Sequence, residues 1–258
     1  MSKGVVLSLY DFTGEALKPW ADAGYECYAY DIQHDPHEIT NEYSQQHMDG
    51  SIEYRHIDLH NHSNLAGVYR LFEHHNVVFG MAFPVCTDMA VSGAAHFKRK
   101  AEVDPDFQRK AVSYARWCGE LFEDIGVPYF VENPVSVLAT KWRKSDHSFH
   151  PYEYGGYIPY SEATHPRWPE YIAARDAYKK KTCLWTGCGF VMPTKVAVDF
   201  EGYHGNGYST AMMKLGGKSQ RTKDIRSATP RGFANAVLSA NHPELTRDED
   251  QYLINEDY

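Results

Sequence analysis

The feature that most constrains the fold is an apolar run that ends in a proline and a cysteine. Residues 77–83 are apolar and rich in branched and aromatic side chains, and Pro84, Val85 and Cys86 follow them. The arrangement recurs where residues 127–131 lead into Glu132. Such runs are typical of strands buried on both faces of a parallel sheet. Because the active sites of these sheets lie at the carboxyl ends of the strands, we expect Cys86 and Glu132 at one edge.

A thiol beside a carboxyl group is the pair needed for covalent attack with acid assistance. A single cysteine is more often an inert buried residue, and Cys118, in the helical apolar stripe over residues 106–125, is predicted to be one. For Cys86, the carboxyl group at the neighbouring strand end favours a catalytic role.

The N-terminal part of the chain has the order expected of a nucleotide-binding half-sheet. A strand over residues 4–10 is followed by a glycine turn, a helix over residues 15–23 and a strand over residues 26–31 that ends in Asp31. Gly14 lets the backbone approach a ligand, and Asp31 can accept hydrogen bonds from ribose hydroxyls. Dinucleotide enzymes have three glycines in this turn, which disfavours NAD and FAD. Asp58 ends a further predicted strand, and residues 64–75 are predicted to be helical.

Beyond Glu132 the helical periodicity fades, and residues 142–169 are predicted to be ordered but irregular. The histidines of this segment, His147, His150 and His165, have no second cluster at metal-ligand spacing, so no metal is expected. Lysines 179–181 lie at the start of a strand that extends to residue 185. They indicate either a solvated charge run or a role beside an anionic or carbonyl-bearing substrate.

The charge is unevenly distributed. The chain of 258 residues has a formal charge of −8, which argues against general adhesion to nucleic acid. Residues 243–258 contribute −5 of this, so that a local basic surface is still possible. The segment 214–231 carries one acid, Asp224, against six cations that suit phosphate contacts: Lys214, Lys218, Arg221, Lys223, Arg226 and Arg231.

The remaining composition favours a cytoplasmic enzyme. No apolar run is long enough to span a membrane, and the N-terminus lacks a signal-peptide pattern. The five cysteines form no disulfide-like framework, which fits a reducing compartment.

The order of these features resembles that of the cytosine-C5 DNA methyltransferases, in particular a compact branch associated with phages and prophages. Residues 7–14 resemble the cofactor loop of that family, residues 84–86 its proline–cysteine motif and Glu132-Asn133 its Glu-Asn motif. Lys179 and Lys181 fall where the family has two arginines before a strand, and residues 232–237 resemble its closing segment. The resemblance extends to about Asn241.

The resemblance implies a Rossmann-like, S-adenosylmethionine-dependent methyltransferase fold: an α/β protein with a mostly parallel sheet and a small irregular recognition lobe. Residues 1–141 would be the cofactor-binding and catalytic core, residues 142–230 the lobe with its lysine-led strand, and residues 231–258 a closing helix and acidic tail.

The resemblance also implies roles for individual residues. The catalytic residues would be Cys86, Glu132, Asn133 and Lys181. S-adenosylmethionine would be held by Tyr10, Phe12, Thr13, Gly14, Asp31, Ile32, Asp58, Pro84 and Asn235. Lys179 and the six cations of residues 214–231 would bind nucleic acid. The family pattern is not complete, because Ser8 stands where the family has an acid and Phe12 where it has a glycine.

Three hypotheses follow. The first is methyl transfer to C5 of a cytosine flipped out of DNA, through a covalent Cys86 adduct at C6. The second is the same chemistry on a free pyrimidine nucleotide or RNA, since the recognition region is small and the overall charge acidic. The third is a catalytically degenerate module that binds nucleic acid or a host protein, motivated by Ser8 and Phe12.

Overall fold

The computed structural model describes residues 3–45, 47–61, 68–69, 75–199, 215 and 219–242. The fold is α/β, with a mixed, mostly parallel sheet of eight strands. The strands are β1 (Val5–Leu9), β2 (Glu26–Asp31), β3 (Thr40–Tyr43), β4 (Ser51–His56), β5 (Val77–Ala82), β6 (Tyr129–Pro134), β7 (His147–Phe149) and β8 (Thr182–Gly187). The α-helices among the described residues are α1 (Lys18–Asp22), α2 (Phe97–Val103), α3 (Phe107–Ile125), α4 (Leu138–Lys141), α5 (Gln220–Ser227) and α6 (Arg231–Asn241).

The strand order across the sheet is β3-β4-β2-β1-β5-β6-β8-β7. Strands β4, β2, β1, β5 and β6 are parallel, whereas β3 and β8 run antiparallel to their neighbours. From β1 the chain moves outward to β2 and β4 and then returns to the other side of β1 as β5. The topological switch point therefore lies between β1 and β5, where open α/β sheets bind ligands. This topology is compatible with a Rossmann-like fold.

Helix α3 covers one face of the sheet with the apolar stripe seen in the sequence. Its residues Ala115, Cys118, Leu121 and Phe122 are buried against the strands, as expected. A Cβ atom on Gly80 of β5 would lie 2.3 Å from the Phe122 ring, so glycine permits this close approach. The packing of α3 thus brings β5 and β6 under a common helix.

Helices α1 and α6 cover the opposite face, where aromatic rings form much of the core. Phe233 of α6 stacks on Phe149 of β7 with ring centroids 4.0 Å apart, and Trp20 of α1 stacks on Phe79 of β5 at 4.8 Å. The closing helix predicted from the sequence is therefore part of the sheet's second layer. Both strands within residues 142–230, β7 and β8, belong to the same sheet.

Several elements differ from the sequence-based expectations. Strand β3 and the three-residue strand β7 were not predicted, because short edge strands have little apolar alternation. Helix α1 begins at Lys18, after a turn in which Leu17 N–H donates to the Gly14 carbonyl at 3.0 Å. Most of the helix predicted over residues 64–75 and the whole acidic tail lie outside the described residues. Within the described ranges, no helix has the length and apolar character needed to cross a membrane.

Candidate active site

The carboxyl ends of β5 and β6 meet at one edge of the sheet, as their order and parallel direction require. Ala82 pairs with Val131, so Phe83 and Glu132 are the next residues of the two chains. Cys86 begins a 3-10 turn, Cys86–Asp88, and is exposed, whereas Glu132 is half-buried and Asn133 is buried. The structure thus brings the predicted thiol and carboxyl group to the same edge.

Asn133 ties the two strand ends together. Its side-chain amide donates a hydrogen bond to the Pro84 carbonyl at 2.9 Å, across a sequence separation of 49 residues. The Oδ1 atom of Asn133 is buried and has no hydrogen-bond partner among the described residues. Asn133 therefore positions the proline–cysteine turn relative to Glu132.

The ionisation of Cys86 and Glu132 is coupled through their shared surroundings. Desolvation raises the pKa of the Cys86 thiol, and the Glu132 carboxylate raises it further. Burial also raises the pKa of Glu132. The Lys180 ammonium opposes both shifts, because a nearby positive charge favours the thiolate and the carboxylate. Together these effects favour a protonated Glu132, which can act as an acid.

The lysine beside this pair is Lys180. In the antiparallel register of β6 and β8, Glu132 pairs with Leu184 and Pro134 with Thr182, so the even-numbered residues of β8 share a face with Glu132. Lys180 continues this alternation and lines a small cavity together with Glu132. Its ammonium group donates to the Arg226 carbonyl, the two atoms lying 2.6 Å apart.

Lys181, which the sequence predicts to be catalytic, is exposed, and its charge affects the pKa values of groups other than Cys86 and Glu132. Its charge lowers the pKa of Cys183, opposing the effect of burial on that thiol. Burial lowers the pKa of His150, and Lys179 and Lys181 lower it further. Because alternate residues of a strand face opposite sides of the sheet, the sequence already indicates that Lys180 faces the other side from Lys179 and Lys181. The pairing of β8 with β6 then shows that Glu132 lies on the side of Lys180.

The loop after β1 is closed by the Asp11 carboxylate. Asp11 accepts hydrogen bonds from the Ser8 hydroxyl at 2.7 Å and from the Gly14 backbone N–H at 2.8 Å. Tyr10 adopts a positive φ of 58°, and Gly14 has a φ of 66°. A Cβ atom on Gly14 would lie 2.3 Å from the Tyr54 hydroxyl oxygen, so this turn requires glycine. Ser8 is thus a partner of Asp11.

Two acids lie at or near strand ends next to this loop. Asp31 is buried at the end of β2 and accepts from the Gln33 backbone and side-chain amides at 2.8 and 3.1 Å. Asp58 accepts from the His60 backbone N–H at 3.0 Å. Burial raises the pKa of the Tyr10 hydroxyl, and the charges of both acids contribute to this shift. The Tyr10 hydroxyl is buried without a hydrogen-bond partner among the described residues.

The other residues predicted to bind the cofactor differ in their burial and contacts. Phe12 is half-buried and stacks on His34 with ring centroids 5.5 Å apart, and Thr13 is buried in the loop. Ile32 is exposed and Pro84 is buried. Asn235, on α6, donates from its side chain to the Tyr157 carbonyl at 3.0 Å. The structure therefore brings Tyr10, Asp31 and Asp58 together, whereas the side chain of Asn235 contacts the irregular segment.

The predicted basic residues divide into two groups. Arg221 and Lys223 are exposed on α5, with the Arg221 guanidinium 5.4 Å from the centre of the Tyr171 ring. Arg226 donates to the Leu215 carbonyl at 2.9 Å. Arg231 donates to the carbonyls of Glu162, Ala163 and Thr164, which holds the irregular segment onto α6. Lys214 and Lys218 lie outside the described residues.

A second basic surface, on α2, was missed by the sequence analysis. Lys100 donates to the Thr87 carbonyl at 3.0 Å and pairs with Asp88 at 2.5 Å, which fastens α2 to the turn that begins at Cys86. Lys98 and Arg99 on the same helix are exposed. The run of basic residues over 96–100 was the available signal, but its position beside Cys86 depends on the Lys100 contacts.

Within the described part of the chain, no group of three or more His, Cys, Asp or Glu side chains is arranged to hold a metal ion. No protein-family model matches this sequence, and no curated protein matches it significantly.

Proposed function

We propose that this protein is an S-adenosylmethionine-dependent methyltransferase that transfers a methyl group to C5 of cytosine in DNA. The observation that carries the proposal is the meeting of Cys86 and Glu132 at adjacent strand ends, held together by the hydrogen bond from Asn133 to Pro84. This edge lies beside the topological switch point, where a doubly wound sheet binds its ligands.

The chemistry needs both groups because C5 of a pyrimidine is a poor nucleophile until another group adds at C6. The Cys86 thiolate would add to C6 while Glu132 protonates N3, and the electron pair of the C5–C6 double bond would become available at C5. C5 would then take the methyl group from the sulfonium, whose carbon–sulfur bond breaks so that S-adenosylhomocysteine leaves. A base would remove the C5 proton, and the thiolate would leave from C6 as N3 returns its proton.

The two acids beside the loop after β1 suit S-adenosylmethionine, which would supply the methyl group when bound. Asp31 can accept hydrogen bonds from ribose hydroxyls, Asp58 would lie near the adenine, and both acids favour a cationic ligand. The unpartnered hydroxyl of Tyr10 offers a further polar contact in an otherwise buried position. This combination supports the cofactor through its donor and acceptor chemistry, although the loop lacks the usual glycines.

Two basic helices support a polymer as the substrate. Lys98 and Arg99 are exposed on α2, whose Lys100 contacts the turn that begins at Cys86, and Arg221 and Lys223 lie on α5, whose last residue lines the cavity of Glu132. Cations on both sides of the reacting groups suit phosphates that flank the target nucleotide. In duplex DNA the cytosine would be flipped out of the stack so that the thiol can reach C6.

The test offers tritiated S-adenosylmethionine with unmodified DNA, dCMP or RNA to the wild type, Cys86→Ala and Cys188→Ala. Cys188 is the other exposed cysteine, and it lies beyond β8, so this variant is the matched control. We expect label in DNA with the wild type and with Cys188→Ala, and none with Cys86→Ala. Label in dCMP or RNA alone would reassign the substrate. Activity that survives in Cys86→Ala would exclude the covalent mechanism.

A further inference from the structure

Helix α5 reaches from the segment after β2 to the cavity of Glu132. Its eight residues span about 12 Å. At its N-terminal end, the Gln220 side-chain amide donates to the side-chain carbonyl of Gln33 and, at 2.8 Å, to Asp224. At its C-terminal end, Ser227 and residues 228–230 line the cavity with Glu132. One short helix therefore contacts both halves of the proposed site.

The contact between Gln220 and Gln33 is linked to Asp31 by further hydrogen bonds. The Oδ1 atom of Asp31 accepts from both the backbone and the side-chain amide of Gln33, and Gln33 in turn accepts from Gln220. The first turn of α5 is thereby hydrogen-bonded, through one glutamine, to the carboxylate that we expect to bind a ribose.

The C-terminal contact closes the cavity. Its volume is about 10 Å³, which is room for about one water molecule. Ligand pockets are typically larger than about 300 Å³, so a pyrimidine can enter only if a wall moves. Residues 227–230 form one wall and follow α5 without a break, and the Arg226 carbonyl is tied to Lys180 on the opposite wall. A displacement of the C-terminal end of α5 would open this cavity to a base.

We propose that Gln33 and Gln220 form a latch that keeps α5 over Glu132 until a ligand with a ribose diol occupies Asp31. A diol that hydrogen-bonds both carboxylate oxygens takes the acceptor used by the Gln33 side chain. Gln33 is then free to release Gln220, and α5 can move away from Glu132. Gln220 is a positioning residue in this scheme, since it touches neither the cofactor nor the base. The inference rests on the proposed function, because it assigns Asp31 to the cofactor.

The latch makes cofactor and base binding cooperative and reciprocal. The probe is a labelled duplex with one cytosine opposite an abasic site, because an unpaired base costs little to flip. Its dissociation constant is measured by fluorescence anisotropy with and without S-adenosylhomocysteine. In the wild type we expect the ligand to tighten binding roughly fivefold or more. The 2′,3′-dideoxy analogue, which lacks the diol, is expected to have no such effect.

The decisive variant is Gln220→Ala, with Gln45→Ala as a matched exposed glutamine beyond β3. Without ligand, Gln220→Ala is expected to bind the duplex as tightly as the ligand-bound wild type, and added ligand should change little. Because the coupling is reciprocal, calorimetry should show that this variant binds S-adenosylhomocysteine more tightly than the wild type does, by about the factor by which the ligand tightens duplex binding in the wild type. Ligand binding also shows that the variant is folded. Gln45→Ala should behave as the wild type does.

Three results would overturn the latch. Weaker duplex binding by Gln220→Ala without ligand would make the glutamine a simple support for α5. Wild-type binding that does not respond to S-adenosylhomocysteine, although calorimetry shows that the ligand binds, would remove the coupling and leave the proposed function standing. Absence of ligand binding to the wild type would remove both.

Discussion

The loop after β1 is braced in part by a side chain of its own, whereas the turn after β5 is braced by side chains from other elements. Asp11, in the loop, accepts from Ser8 of β1 and from Gly14, and Arg167 donates to the Thr13 carbonyl. The turn at Cys86 is held from outside, by Asn133 through Pro84 and by Lys100 through Thr87. A thiol held in this way stays exposed for reaction, whereas the Asp11 loop is mainly a rigid structural element beside Asp31. We therefore expect substitutions around the turn at Cys86 to lower activity and substitutions in the Asp11 loop to lower stability.

The largest expected effect is on activity, from Glu132→Gln. The amide cannot deliver a proton to N3, so we expect the methylation rate to fall by about a hundredfold or more. In the wild type the rate should fall as pH rises through the pKa of Glu132, which burial raises, because the acid form is lost. This alkaline limb should be absent from the pH–rate profile of Glu132→Gln. If the limb persists in the variant, the acid is another group.

The second prediction distinguishes the role of Lys180 from that of Lys181. Lys180 lowers the pKa of both Cys86 and Glu132, so Lys180→Gln should move both limbs of the pH–rate profile to higher pH. A shift of one pKa unit would lower the rate at neutral pH roughly tenfold on the thiolate limb. Lys181→Gln is the control and should leave both limbs in place. A shift in the control variant alone would restore the assignment made from the sequence.

Asp11→Ala should mainly affect stability. The substitution leaves the Ser8 hydroxyl and the Gly14 N–H without their acceptor in a buried loop, which costs about 1–3 kcal/mol. The free energy of unfolding in urea measures this loss. Asp35→Ala, at an exposed aspartate of the next loop, should change it by less than about 0.5 kcal/mol. Equal losses in the two variants would mean that the Asp11 network contributes nothing specific.

The smallest expected effect is that of Phe12→Gly, which restores the glycine of the family pattern. Phe12 stacks on His34, and loss of this aromatic pair should cost about 1 kcal/mol of stability. We expect the affinity for S-adenosylhomocysteine, measured by calorimetry, to change by less than roughly threefold. A tenfold gain in affinity would instead identify the Phe12 ring as an obstruction to ligand binding.

Much of the sheet could be predicted from the sequence because several of its strands have a distinctive apolar composition. Val77–Ala82 and Tyr129–Pro134 are apolar runs with polar ends, and a buried parallel strand needs that pattern. The switch-point logic then places Cys86 and Glu132 at one edge without further information. Strand β3 was not predictable in this way, because its four residues are all exposed.

Local pattern also fails where the position of a side chain depends on a distant partner. The resemblance favoured Lys181, but the register of β8 with β6 places Lys180 beside Glu132. Likewise, Arg231 belongs to the predicted basic segment, yet three carbonyls of the irregular segment accept its hydrogen bonds.

The sequence alone predicts the strands with apolar runs, their polar ends and the candidate reacting groups, because a buried parallel strand needs an apolar run and its carboxyl end carries the polar side chains. Three features became clear from the tertiary structure: which lysine lies beside Glu132, which lysine contacts the turn at Cys86 and which helix covers the cavity. Those features depend on the register between strands and on contacts between distant residues, such as Gln33 with Gln220. A side chain's neighbours across a sheet are set by pairing with another strand, and periodicity within one strand does not encode that pairing.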